Sequence, residues 1–196
     1  MFEPFSNRAK TWEPIARELR ALVGLNTTAR LDPWLLAPRV GLAVVDASRF
    51  TSELDKADRQ HLTVVAQSKW SGGVLPIPLP DGSHLCILNP AHSKRRNKVT
   101  LMEEIAHSFL RHKPSRIVLS DNGLTVRDFD HAQEAEAYGV GTAALLPWAH
   151  FFPLVNSGAS ALDLVDEFDV TRELIEYRIK IAGAYKLYCA RQQSRS

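Results

Sequence analysis

The sequence predicts an α+β fold: a small mixed or antiparallel sheet packed with helices, and a helical C-terminal tail. Three observations predict it. Apolar residues recur every three or four positions near both ends of the chain, as amphipathic helices require. Short β-branched runs cluster in the first half. A hairpin signal stands between two helical segments in the middle. With 196 residues, 45% hydrophobic and 23% charged, the chain suits one well-cored domain. The expectation is a single domain over 1–196, with its core over about 12–153 and C-terminal helices over about 160–190.

Taken in order, residues 11–25 place Trp12, Ile15, Leu19 and Leu22 on one helical face, ending near Gly24. "RVGLAVV", "HLTVVAQ" and "HLCILN" read as strands. "LPIPLPDG" joins the last of these to a preceding extended piece through a Pro-Asp-Gly turn, and its prolines argue for an edge strand. After a helix around "EEIAH", "RIVLSDNGLTVRDF" reads as a hairpin, because Asn122 and Gly123 accept the positive φ angles of a tight turn. "HAQEAEAYGVGTAALL" forms a second helix that stops at Pro147. The tail suggests two more. Ser160 and Asp163 have capping-box spacing, Leu162, Val165 and Phe168 form one face, and Thr171 restarts a helix. The polar end "RQQSRS" is expected to fray.

Composition narrows the function. A net charge of +2 gives no bulk electrostatic case for nucleic-acid or membrane binding. Cys86 and Cys189 are far apart, which supports neither a disulfide framework nor a cysteine zinc knuckle. The opening "MFEPFSNRAK" has no apolar leader core, and no run approaches the roughly 18 apolar residues of a membrane span. A cytoplasmic protein is expected.

The chemistry concentrates in "TLMEEIAHSFLRH", residues 100–112. Metal-dependent hydrolases often carry H-E-x-x-H on a helix, with two histidines one turn apart holding zinc and a glutamate beside the first acting as base. Here Glu103 occupies the first position. At roughly 3.6 residues per turn, Glu103 and His107 share a face, and Glu104 sits about 100° away, placed to flank an activated water. A third ligand must come from elsewhere. The next acid-rich helix offers Glu134 and Glu136, and geometry alone does not choose between them.

At this point the sequence resembles the ImmA/IrrE-type metallopeptidases, in which H-E-x-x-H is followed by an E-A-x-x-x-A-x-x-L-L-x-P helix bearing the third ligand. "EAYGVGTAALLP", residues 136–147, keeps the Glu-Ala start and the closing Pro at that spacing, with the paired leucines displaced by one place. The resemblance therefore selects Glu136. It extends through "LDPWLLAPRVGLAVV", "ILNPAHSKRRNKVTLMEEIAH" and "SALDLVDEFDVTRELIEYRIKIAG", from about Trp12 to Tyr185. It implies a zincin-like site in which Glu103, His107 and Glu136 hold a divalent metal and Glu104 is the catalytic base. Resemblance points to zinc. One nitrogen and two carboxylates make a harder, more anionic shell than the family's, which moves preference towards manganese or iron(II) and leaves water less acidified.

Other features have plainer readings. His112, five residues beyond His107, lies about 140° around the helix and reads as a C-terminal histidine favoured by the dipole. His131 and His150 read as caps or packed side chains, and Cys86 as a small core residue. "SKRRNK", residues 93–98, reads as a solvated loop, with phosphate contact as its alternative. The tail resembles half of a helix-turn-helix. Glu173 and Glu176 stand where a DNA reader needs basic or amide side chains, so core packing or a protein-binding face is expected.

The expected function is metal-dependent endopeptidase action on an intracellular protein, which the resemblance suggests is a helix-turn-helix transcriptional repressor. The alternative is a catalytically degenerate member that binds a regulator through the same cleft, in a regulatory or toxin–antitoxin-type pairing. No membrane partner is expected, and direct nucleic-acid binding is argued against.

Overall fold

Ser6 opens the first helix, α1 (Asn7–Ala21): its hydroxyl accepts from the Ala9 N–H and donates to the Ile181 carbonyl, fixing the start of the chain to the tail. The helix therefore begins four residues before Thr11. Trp12 and Leu19 are buried as expected, whereas Leu22 is exposed, because the helix ends at Ala21 and Gly24 takes φ +68. The computed structural model describes residues 3–45, 52, 54–60, 64, 69–113 and 130–194, with the backbone of 116–119 and 125–128.

Asp32 caps a short helix, α2 (Pro33–Leu36), which continues as a 3₁₀ turn (Ala37–Val40) ended by Gly41 at φ +75. That turn feeds strand β1 (Leu42–Val44). A short helix α3 (Lys56–Gln60) precedes β2 (Gly72–Pro78) and β3 (His84–Leu88). The stretch "HLTVVAQ" lies outside the described residues apart from Val64.

The sheet is mixed, in the order β1-β3-β2. β1 runs parallel to β3, pairing Val44 with Cys86, and β2 runs antiparallel, pairing Val74 with Cys86. The proline-bearing strand is at the edge, where missing N–H groups cost no ladder bonds, and its register shifts between Val74 and Pro78.

Helix α4 (Lys94–Leu110) follows, with Ser93 accepting from the Arg96 N–H. "SKRRNK" is thus the first turn of the central helix and not a solvated loop. Arg95 pairs with Asp166 and Asp169, each at 2.9 Å, and Lys98 donates to the Phe168 and Asp169 carbonyls, both at 3.2 Å. Strands β4 (Arg116–Leu119) and β5 (Thr125–Asp128) form the expected antiparallel hairpin, with its Asn122-Gly123 turn outside the described residues. Helix α5 (His131–Leu145) starts at the Asp130 cap and ends before Pro147.

Small residues on α5 set the interhelix distances. A Cβ on Gly139 would lie 2.4 Å from the Trp12 ring, and one on Gly141 would lie 3.1 Å from the Met102 carbonyl oxygen. Their absence lets α1 and α4 pack closely on α5. After α6 (Trp148–Asn156) come three tail helices, α7 (Ala161–Phe168), α8 (Arg172–Ile181) and α9 (Tyr185–Gln193).

The Ser160–Asp163 capping box forms and Thr171 caps α8. Leu162, however, is 67% exposed; the buried face is Leu164, Val165 and Phe168. In a helix of eight residues the inward arc is narrow and centres on Phe168, so Leu162 falls outside it. Residues 191–193 continue α9 in place of the expected fraying, because Arg191 bonds Asn156 and Gln192 bonds the Gly158 and Ala159 carbonyls; Arg195 and Ser196 lie outside the described residues. Tail residues Leu164, Phe168, Leu174, Ile175 and Ile179 belong to the same core as Trp12, Met102 and Val140. On α8, Leu174, Ile175, Arg178 and Ile179 are buried, which makes it a packing helix.

Candidate metal centre

Three side chains from α4 and α5 converge. Glu103, His107 and Glu134 each offer a ligand atom within 4.8 Å of the others, and all three are half-buried. Glu103 and His107 come together through their i, i+4 spacing on α4, as their separation in sequence requires. Glu134 arrives from the first turn of α5, its Oε2 3.4 Å from His107 Nε2.

Glu136, favoured by the family pattern, is not in this cluster. Its Oε2 lies 3.3 Å from His112 Nε2 instead. Residues two apart on a helix point about 200° apart, so only one of the two glutamates can face Glu103. Glu134 lies on the row of Tyr138, Gly141 and Leu145, at i, i+4, i+7 and i+11, which is the row that meets α4 around Glu103 and Met102. That row is legible in the sequence, although its glycine and tyrosine do not mark it as a buried stripe.

His112 is nearer than an extended helix allows. The helix ends at Leu110, and Arg111 adopts the left-handed conformation, φ 55 and ψ 40. The His112 N–H returns to the His107 carbonyl at 3.0 Å and the Arg111 N–H to Ser108 at 3.2 Å, the pattern of a Schellman turn. The turn folds the His112 ring back onto His107, with Nδ1 to Nδ1 at 2.9 Å and the rings nearly perpendicular. A glycine after Leu110 would have signalled this reversal; arginine does not.

The electrostatics favour the neutral forms of Glu103 and His107. Burial, then the Glu104 and Glu134 carboxylates, push the Glu103 carboxyl up to about 7. Burial lowers His107 and outweighs the attraction of Glu134, which favours the neutral imidazole that binds metals. Glu104, next to Glu103 on α4, also acts on Cys86: burial and then Glu104 push that thiol up to about 12, so Cys86 is a core residue of β3 and no nucleophile. Sequence reasoning passed over Tyr138, whose hydroxyl is raised to about 12 by burial and then by Glu103.

The donor set fits a divalent ion. One imidazole nitrogen and two carboxylates from two helices converge, and no lysine or arginine among the described residues forms an ion pair with Glu103 or Glu134. A possible metal-binding triad on a helix pair beside a small mixed sheet is an arrangement that suits a metallopeptidase-like protein. The family model described as the IrrE N-terminal-like domain, of the M78 peptidases, matches residues 58–180, and the chain belongs to that family. No curated protein and no solved structure matches the chain. No helix among the described residues is long and apolar enough to cross a membrane.

Proposed function

We propose that the protein is an ImmA/IrrE-like metal-dependent endopeptidase that cuts an intracellular protein, with a helix-turn-helix transcriptional repressor as the favoured substrate. The carrying observation is the convergence of Glu103, His107 and Glu134 within a family of metal-dependent peptidases. Glu103 and Glu134 supply carboxylate oxygens and His107 a nitrogen lone pair. When bound there, a divalent ion would supply Lewis-acid polarisation of a peptide carbonyl and a more acidic water. Glu104, beside Glu103 on the same helix, accepts the proton from the attacking water on its carboxylate and returns it to the leaving amine. The expected metal is zinc by family, with manganese or iron(II) favoured by the two carboxylates.

The substitution at position 103 favours a second reading. With Glu103 where the family has histidine, the cleft holds a metal, or none, and binds a regulator without cutting it. Zinc titration by calorimetry, followed by incubation of the metal-loaded protein with its co-purifying proteins, separates the two. Cleavage that disappears in Glu104→Gln while zinc binding persists supports the peptidase. Binding of a partner that stays intact supports the regulator. Glu103→His is expected to raise zinc affinity, since it restores a softer two-histidine shell. Unchanged affinity means that position 103 does not face the ion.

A further inference from the structure

The run of positive charge at the start of α4 is used unequally. Arg95 and Lys98 are engaged by α7, where they meet Asp166, Asp169 and the α7 carbonyls. Arg96 is exposed and forms no ion pair among the described residues. It is held all the same: its Nε donates to His92 Nδ1 at 3.1 Å, and its Nη2 to the Ser71 hydroxyl at 3.4 Å, just before β2. Both acceptors are neutral, since the Nε–H of a guanidinium can only donate and His92 Nδ1 must therefore offer a lone pair. They fix the side chain without cancelling its charge, and they engage two of the five N–H donors of a guanidinium. An arginine fixed in this way presents its remaining donors as a fork for a carboxylate.

The place of Arg96 on α4 indicates what it serves. It precedes Glu103 by seven residues, so at about 100° per residue the two side chains lie within about 20° of each other around the helix, with His107 on the same face. Two turns separate them, about 10.5 Å along the axis. An extended peptide advances about 3.3 Å per residue, so a chain whose scissile carbonyl sits at the Glu103–His107–Glu134 cluster reaches Arg96 after about three residues. Tyr138 links the two points: it lines a crevice with Glu103, and Arg96 opposes the rise of its hydroxyl that burial and Glu103 produce. We propose that Arg96 is a specificity-determining residue that selects an acidic side chain, Asp or Glu, about three residues from the scissile bond of the substrate. The proposal rests on the reading of the cluster as a peptidase centre and deepens it by naming a feature of the substrate. Nearer the cluster, Glu103 and Glu134 repel a carboxylate, so the acidic position is set at a distance.

Degenerate peptide libraries that differ only in a central glutamate, glutamine or lysine test it. Each is offered to the full-length protein in two ways: cleavage by the zinc-loaded form, with cut sites mapped by mass spectrometry, and retention on the immobilised metal-free form. The wild type is expected to prefer glutamate over glutamine about three- to tenfold in both, the range from a screened surface pair to a charge-assisted hydrogen bond. It is expected to disfavour lysine and to cut about three residues from the glutamate. Arg96→Gln is expected to lose the preference, and Arg96→Glu to reverse it in favour of lysine, which the loss of a merely structural contact would not do. Circular dichroism checks that both variants fold. Cleavage of all libraries alike overturns the proposal and leaves the peptidase reading standing, whereas equal retention with no cleavage overturns both. A glutamate preference that survives in Arg96→Glu belongs to another cation and also overturns the proposal. Retention in the expected order without any cleavage separates the two claims the other way: the peptidase reading fails, and the acidic-peptide site at Arg96 stands.

Discussion

Helix α4 carries ionisable side chains at both ends, and the two ends are built on opposite principles. At the N-terminal end, Arg95 and Lys98 meet Asp166, Asp169 and the C-terminal carbonyls of α7. Positive charge meets negative charge, and the polar atoms of Lys98 are bonded where they are buried. Further along the helix, Glu103 and His107 lie with Glu134 from α5, and the His112 imidazole packs against His107. Charges of one sign are gathered there at a cost in solvation that burial of Glu103 makes explicit. The closed end ties the tail to the domain. The open end gathers Glu103, His107 and Glu134, a possible metal-binding triad, with a strongly shifted carboxyl.

The comparison makes the tail a structural part of the domain, and the largest effect tests that. Deleting the residues after 159 removes Leu164, Phe168, Leu174, Ile175 and Ile179 from the core and leaves Arg95 and Lys98 without carboxylates. Buried leucines and isoleucines are each worth about 2 to 5 kcal/mol against a total stability of about 5 to 15. The truncated protein is expected to lose its cooperative thermal transition by circular dichroism. A shortened chain that still melts cooperatively would break the comparison at its structural end.

Lys98→Met is expected to come next, lowering stability by about 2 kcal/mol in a denaturant titration, because two carbonyls of the α7 terminus lose a charged donor while the methionine still fills the space. Glu103→Gln is expected to act in the other direction. In metal-free protein it relieves repulsion among buried carboxylates and raises stability by on the order of 1 kcal/mol, while lowering zinc affinity at least tenfold. Opposite signs at the two ends of one helix sharpen the contrast. A destabilising Glu103→Gln would mean that the open end is already satisfied without a cation.

What the sequence revealed and what it concealed follow the range of the interactions. Spacing along one helix brought Glu103 and His107 together, and the capping box at Ser160 is a contact across three residues. The edge position of β2 follows from prolines that cannot donate. The misreadings involve direction in space. Arg95 and Lys98 look like a solvated run until Asp166 and Asp169 approach from about 70 residues away. Helical extrapolation sent His112 away from the site, whereas a left-handed Arg111 turns it back. The choice between Glu134 and Glu136 depends on which face of α5 meets α4. That is set by Gly139 and Gly141, whose missing side chains admit Trp12 and Met102. A local pattern carries no record of a partner that fits into an absence.

The smallest effect probes the closed end through pH. Burial alone would raise the Asp169 carboxyl, but bonds from Arg95 and the charge of Lys98 outweigh it and hold the group below its ordinary 3.8. A carboxyl whose folded value is depressed stabilises the native state above its unfolded value, and that contribution is lost as pH falls through the folded value. The side chain is 39% exposed, so solvent screening limits the pair to about 0.5 to 1 kcal/mol. Asp169→Asn is therefore expected to be less stable than the wild type by that amount near neutral pH. The gap should stay constant down to about pH 5, narrow below the ordinary carboxylate range, and close in stronger acid. Denaturant midpoints for both proteins across that range measure the gap. A gap that persists in strong acid would assign the effect to the hydrogen-bond geometry of the α7 terminus, and the charge balance that distinguishes the two ends of α4 would no longer explain the closed one.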